Sequence, residues 1–404
     1  MSDPPALITL ADIEAARQRV GPVVRTTPVE GSRSLSSMAG RDIIFKAEYR
    51  QRTGSFKIRG AYNRIVQLPE GVDVVAASAG NHAQGVALAA QLTGRRAIIY
   101  MPCGAALPKA DATRAYGATV RFVGHTLDDA IAAARIEATR SGAVLIPPFD
   151  DPTVIAGQGT LGLELATQVD DAEVVVVPVG GGGLIAGVAV ALAATRPDLR
   201  VVGVEAAGAP ALSSALAARR PVVLESMATM ADGIAVGAVS ALTLAHATAL
   251  VDKVVTVDEE EISRALLLLV ERTKAVVEPA AATALAAILA GRVGGRGPAV
   301  AVLSGGNVDP LLLTKIINHG LAAAGRYLVL RIVVADRPGG LASLTAALAE
   351  LGANVIDVGH HRSGRSLTLS EVEVIFTVET RDEAQHASIV ADLTSAGYRV
   401  DTLG

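Results

Sequence analysis

Lys57 stands in the run Thr53-Gly54-Ser55-Phe56-Lys57-Ile58-Arg59-Gly60-Ala61. Ser55 reads as an N-cap, and Phe56, Ala61, Ile65 and Val66 give a partly helical apolar period. The lysine therefore falls in the first turn of a helix, where the dipole disfavours a positive side chain. A lysine kept as a neutral amine, or bonded to a carbonyl beside an anionic ligand, gains from that position. An exposed lysine tolerated at small cost fits it too. A second chemical feature is Gly180-Gly181-Gly182-Gly183, set between the β-branched Val174 to Val177 and the Ala- and Leu-rich Leu184 to Thr195. A glycine turn entering a helix presents N–H groups on the positive end of the dipole, which makes a phosphate cradle. A permissive loop between two core elements would read alike. On the cradle reading, side chains at the middle glycines would crowd phosphate oxygens. Ser78-Ala79-Gly80-Asn81 lies between a strand over 73–77 and a helix over 82–92, with N–H groups and two capping side chains for an anion. Ser304-Gly305-Gly306-Asn307 follows a strand over 300–303.

These three junctions all follow strand C-terminal ends, where open α/β sheets place their ligands. Strands and helices alternate through most of the chain, with further strands expected over 42–48, 97–101, 119–123, 143–146 and 201–204. Pro147 to Pro152 reads as a break where the chain crosses between lobes, and Ala156-Gly157-Gln158-Gly159-Thr160 as the approach to another helix. The pattern changes around 322–325. A strand over 327–334, a turn at Ala335 to Gly340, a helical face of Leu341, Leu344, Leu348 and Leu351, and a strand over 354–359 follow. Alternating Val372, Val374, Phe376 and Val378, a helix over 381–395 and a strand over 398–403 complete βαββαβ, a ferredoxin-like module.

The chain has 404 residues, enough for two or three domains, and with 3% aromatics and no Trp its core must be aliphatic. A formal net charge of -4 without a long basic run makes nucleic acid and anionic membrane poor partners. Cys103 is the only cysteine, so no intrachain disulfide forms, and it is expected as a small core residue. Asp3, Pro4 and Pro5 interrupt any apolar segment of signal-peptide type, so the expectation is a soluble, cytoplasmic protein. His125, His360, His361 and His386 show no ligand spacing, and no metal is expected.

With those residues in view, the chain resembles the pyridoxal-phosphate-dependent threonine dehydratases of fold type II. TGSFKIRGA, SAGNHAQG, GQGT, GGGGL and SGGN stand in that family's order, and the C-terminal module is similar to an ACT domain. The resemblance implies an α/β fold of two open twisted lobes. It assigns 1–325 to catalysis, with a smaller lobe over about 63–146, and 326–404 to an ACT-like regulatory domain. It implies that Lys57 carries pyridoxal 5'-phosphate and removes the substrate's α-proton. Phe56 would pack near the cofactor ring, Asn81 would bond its phenolic oxygen, Gly180, Gly181, Gly182 and Gly183 would bind its phosphate, and Ser304 would face its pyridine nitrogen. Ser78, Ala79, Gly80 and Asn81 would bind the substrate carboxylate. The implied reaction converts L-threonine to 2-oxobutanoate and ammonia, and L-serine to pyruvate. A serine at the ring nitrogen does not enforce its protonation, which suits elimination over transamination. The turn holding Asp336, Arg337 and Gly340, together with Asn354, is the expected site of an amino-acid effector between subunits of a homodimer or homotetramer. Isoleucine or valine is the effector expected if the enzyme serves branched-chain synthesis.

Rival expectations remain. Gly181, Gly183 and Ala186 satisfy G-x-G-x-x-A after a strand, and Glu205 ends the next strand at about the distance of a dinucleotide fingerprint. That reading, an NAD-dependent oxidoreductase, leaves Lys57 unused. Serine racemases of the same type carry a serine where Ala79 stands and a second carboxylate after the Glu205 position, which this chain lacks. Glu205 alone reads as well as a surface acid. An amino-acid sensor without catalysis would leave both lysine and cradle idle.

Overall fold

The computed structural model describes residues 5–323, 325–362, 368 and 370–403. The sequence features at Asp3, Pro4 and Ala324 lie outside them. The chain divides into two compact units, Met1–Leu312 and Leu313–Gly404.

The first unit opens with α1 (Leu10–Val20), capped by Thr9, then β1 (Val29–Gly31), α2 (Arg33–Ala39), β2 (Ile43–Lys46) and α3 (Lys57–Ile65). A run of βα units follows: β3 (Val74–Ala77), α4 (Asn81–Leu92), β4 (Ala97–Met101), α5 (Leu107–Ala115), β5 (Thr119–Phe122), α6 (Leu127–Ser141) and β6 (Val144–Leu145). The chain then forms α7 (Pro152–Gln168), β7 (Val174–Pro178), α8 (Gly183–Thr195), β8 (Arg200–Ala206), α9 (Ala211–Ala218), α10 (Ala241–Leu250), β9 (Lys253–Val257), α11 (Glu259–Leu268), α12 (Pro279–Leu289) and β10 (Ala299–Val302). Two sheets result. A six-stranded sheet runs β1-β2-β10-β7-β8-β9, parallel except for the β1–β2 pair, and a four-stranded parallel sheet runs β5-β4-β3-β6. β7 and β10 are buried along their whole length, as the valine runs require for central parallel strands covered on both faces.

Asp151 starts α7 by accepting from the N–H groups of Thr153 and Val154, with Pro152 at the first helical position. The Gly157-Gln158-Gly159 segment therefore lies inside this helix and not ahead of one. Its glycines serve packing: a side chain at Gly157 would meet the Arg59 carbonyl of α3 at 2.6 Å. Cys103 is exposed in the turn after β4, which corrects its expected place in the core. Among the described residues no helix is long and apolar enough to cross a membrane.

α13 (Pro310–Ala323) precedes the strands of the second unit. That unit contains β11 (Tyr327–Ala335), α14 (Gly340–Glu350), β12 (Asn354–His361), β13 (Glu371–Glu379), α15 (Glu383–Ser395) and β14 (Arg399–Leu403). Its antiparallel sheet runs β12-β13-β11-β14, the expected βαββαβ topology. Val372, Val374, Phe376 and Val378 are buried with Leu344 and Leu348, so the period-two pattern of β13 points at the helices.

Candidate active site

Lys57 is the first residue of α3. Ser55 does not cap that helix: Phe56 holds the cap position, and the buried Ser55 hydroxyl has no hydrogen-bond partner among the described residues. The backbone explains this, because Ser55 is spent on a bridge to Gly305 while the Phe56 N–H donates to the Ser304 carbonyl at 3.1 Å. The segment carrying the lysine is thus stitched to the loop after β10. The Lys57 Nζ donates to the Pro148 carbonyl at 3.1 Å and lies 5.1 Å from the centroid of the Phe56 ring. Desolvation pulls its pKa down to about 8 against the opposing charge of Glu278. Close by, burial and the Lys57 charge pull the His82 imidazole down to about 3, so it stays neutral, with Nε2 at 2.8 Å from the Ile146 carbonyl.

The glycine turn reaches the same place through the next residue of the chain. A side chain on Gly181 would sit 2.1 Å from the Phe149 ring, and one on Gly183 would sit 2.8 Å from the Phe149 Cβ. Gly182 has φ +85° and caps α8, with Thr243 3.0 Å from where its Cβ would lie. These glycines are thus demanded by the protein's own packing and by a left-handed backbone, not only by room for a ligand. A valine at Gly182 would therefore strain the backbone as well as crowd a phosphate held there. The first N–H groups of α8 have no acceptors within the helix and carry its positive dipole end. An amine of lowered pKa that contacts Pro148, the residue before the Phe149 packed on the glycine turn, fits a phosphorylated aldehyde.

Asn81 begins α4 and is held from two sides. Its Oδ1 accepts from Asn307 Nδ2 at 2.7 Å, and its Nδ2 donates to Glu278 Oε1 at 2.7 Å and Oε2 at 2.9 Å. Asn307 also donates to the Thr53 carbonyl at 2.7 Å. Lys57, Phe56, Asn81 and Ser304 are thereby assembled around one cluster. Ser78 turns its hydroxyl to the Gly80 N–H at 3.2 Å, and Ala79 sits in the same partly exposed turn. Glu278 and Asn307 were missed as site residues in the sequence reading. SGGN contained Asn307, whereas Glu278 reads as an ordinary acid at a helix start.

Glu205 is not a surface acid. It is fully buried, and its oxygens accept from the Leu212 N–H at 2.6 Å, the Ser213 N–H at 2.9 Å and the Ser213 hydroxyl at 2.6 Å. The carboxylate is spent on the start of α9, where a ribose hydroxyl or cation would have to compete. Among the described residues no group of three or more His, Cys, Asp or Glu could hold a metal ion.

In the second unit, the turn before α14 is exposed. Asp336 pairs with Arg362 at 3.4 Å, and the Gly340 N–H is already donated to the Arg337 carbonyl at 3.1 Å. Asn354 is not beside this turn. It pairs in register with Glu379, which faces Tyr327, whereas Ala335 faces Glu371 at the other end of β11. The two parts of the expected effector site therefore lie at opposite ends of the sheet, about 26 Å apart along the strand.

The chain matches the family described as pyridoxal-phosphate dependent enzyme over residues 20–305 and the ACT domain over residues 328–395. It belongs to the pyridoxal-phosphate-dependent enzyme family and carries a C-terminal ACT domain. It is 46% identical to an L-threonine ammonia-lyase of Thermotoga maritima, over 98% of this chain and 100% of that one. It is 44% identical to an L-threonine ammonia-lyase of Geobacter sulfurreducens, over 97% and 98%. Among solved structures it is similar to the T.th. threonine deaminase, with a TM-score of 0.72 and 42% identity over 75% of this chain and 99% of that one.

Proposed function

We infer that this protein is a pyridoxal-phosphate-dependent L-threonine ammonia-lyase, converting L-threonine to 2-oxobutanoate and ammonia and acting also on L-serine to give pyruvate. The observation that carries this reading is the Lys57 amine, lowered to about 8 and joined through Pro148 and Phe149 to the glycine turn. When bound, the cofactor supplies an electron-withdrawing ring that stabilises negative charge at the substrate's α-carbon. Lys57 would hold the cofactor and, as a free neutral amine, would accept the substrate's α-proton. Gly180 to Gly183 would hold the phosphate on the dipole end of α8, Phe56 would flank the ring, Asn81 would bond the phenolic oxygen and Ser304 would face the pyridine nitrogen. The turn Ser78-Ala79-Gly80-Asn81 binds the substrate carboxylate at the start of α4. Ala79 carries no exchangeable proton, which favours elimination over racemisation. The ACT domain binds a small amino acid, isoleucine or valine, and the enzyme works as a homodimer or homotetramer. With Asp336, Arg337 and Gly340 at one end of the sheet and Asn354 at the other, an effector touching both sets would be shared between copies.

The test is Lys57→Ala. It should abolish the visible absorption of the purified protein and lower oxo-acid release by more than a thousandfold (about 4 kcal/mol or more of barrier). A variant retaining both would remove Lys57 from the reaction.

A further inference from the structure

Glu278 sits at the cap position of α12, directly before Pro279, yet its side chain makes no capping bond. A carboxylate at a helix start is ordinarily satisfied by the first free N–H groups. Here both oxygens turn away to the single Asn81 amide, and the carboxylate is 3% exposed. Its backbone N–H is tied to the Gly305 carbonyl at 3.1 Å. Its Oε1 fills the space beside Gly305, only 2.4 Å from where a Cβ would stand. Among the described residues Glu278 forms no ion pair at bonding distance. The charges facing it are Asp232, from the turn after Met230, Lys109 from α5 and Lys57 from α3. Lys109 is bound to Asp232, so the remaining cation is Lys57, whose Nζ has a carbonyl and an aromatic ring beside it but no carboxylate in contact.

We propose that Glu278 is a positioning residue, whose carboxylate fixes the Asn81 amide and supplies the counter-charge that decides when Lys57 becomes a free amine. This rests on Lys57 being the residue that takes the cofactor. An anion held without an ion-pair partner is costly, and its orientation away from α12 is explained if its field is directed at α3 and α4. Burial and the Asp232 charge push Glu278 up to about 7, against the Asn81 hydrogen bond and the two lysines. Ionised above that pH, it stabilises the Lys57 ammonium and raises the pH at which the proton leaves. Protonated below it, one oxygen still accepts from Asn81.

The experiment follows the pH dependence of cofactor capture by full-length protein stripped of cofactor, read as growth of visible absorbance after adding pyridoxal phosphate. Wild type should show a midpoint near the Lys57 value of about 8. In Glu278→Gln the midpoint should fall by about one pH unit, because the ammonium loses its counter-charge. Glu278→Asp keeps the charge but cannot reach Asn81 as well, so its midpoint should stay at the wild-type value while the captured cofactor dissociates more readily. A purely structural role would weaken capture without moving any midpoint. An unmoved or raised midpoint in Glu278→Gln overturns the proposal. If that variant fails to fold, a shifted midpoint in Glu278→Asp overturns it instead. No visible band at any pH in wild type would mark failure of the Lys57 assignment, a separate outcome.

Discussion

Arg59 in α3 and Arg331 in β11 each bridge two carboxylates, one from each neighbouring element, and their surroundings differ in kind. Arg59 is fully buried. It donates to both oxygens of Glu48 at 2.8 and 2.9 Å and to Glu164 at 2.7 Å, and Lys46 reaches Glu164 at 2.6 Å. Arg331 lies on the outer face of the antiparallel sheet, bonded to Glu373 and, at 3.0 Å, to Asp401, with water on that side. The first unit keeps this network from water and must satisfy it internally, although pairs such as Arg50–Glu30 and Arg114–Asp111 stay at its surface. The second leaves this ion pair at its surface and builds its main core from aliphatic and aromatic side chains. Chemistry follows the first pattern: Lys57 and Glu278 have shifted pKa values because water is kept from them.

The sharpest way to break this comparison is to truncate both arginines. Arg59→Ala should cost about 3–5 kcal/mol, since it strands Glu48 in the interior. Arg331→Ala should cost about 1 kcal/mol or less, because its partners rehydrate. Urea unfolding of the two variants checks the difference. Equal losses would mean the buried network is no more dependent on its cation than the surface one.

A smaller effect of opposite sign is expected at Glu278. Its folded pKa, about 7, lies above the ordinary 4.5, so the folded chain binds that proton more tightly than the unfolded one. The stability tied to this proton is complete below about pH 4.5 and is lost as pH rises through about 7. Glu278→Gln removes that loss, offset in part by the counter-charge withdrawn from Lys57. The cofactor-free variant should be more stable than wild type at pH 8 by something on the order of 1 kcal/mol, with no gain at pH 4.5. Thermal melts at both pH values decide it. A variant less stable at pH 8 would mean that Glu278 supports the fold.

What could be read from sequence, and what could not, divides along the same line. The glycine turn, the lysine at a helix start and the alternation of β13 are local patterns, set by residues adjacent in the chain, and the structure places them as read. Glu278 escaped because its partner Asn81 lies 197 residues away in sequence, and Glu205 because the pairing of β8 between β7 and β9, more than its near neighbours Leu212 and Ser213, sets its burial. Ser55 looked like a cap because capping is a local rule, but a bridge to Gly305 took its backbone first. The start of α7 was misplaced because Gly157 and Gly159 read as a loop, while the Asp151 cap and tight packing on α3 outweigh their low helix propensity.

The least perturbing variants test the solvated unit. Asp336→Ala and Asn354→Ala remove exposed groups with long, weak partners, 3.4 Å to Arg362 and 3.3 Å to Glu379, so each should change stability by no more than about 0.5 kcal/mol. Their interest lies in effector response. The register puts the two residues at opposite ends of one sheet, so a single small amino acid cannot span both within a copy. If the effector site is shared in a two-fold pair of ACT domains, each variant alone damages every site, because each site takes one group from either copy. Mixing and reassembling the two variants then regenerates intact sites. Half of the pairs are mixed, and each mixed pair has one site with both groups and one with neither, so about a quarter of the sites recover. The measurement is isoleucine and valine binding by titration calorimetry for each variant and for the reassembled mixture. Recovery near that fraction supports a site built from two copies, whereas a mixture no better than its components places the effector within one copy or away from these residues altogether.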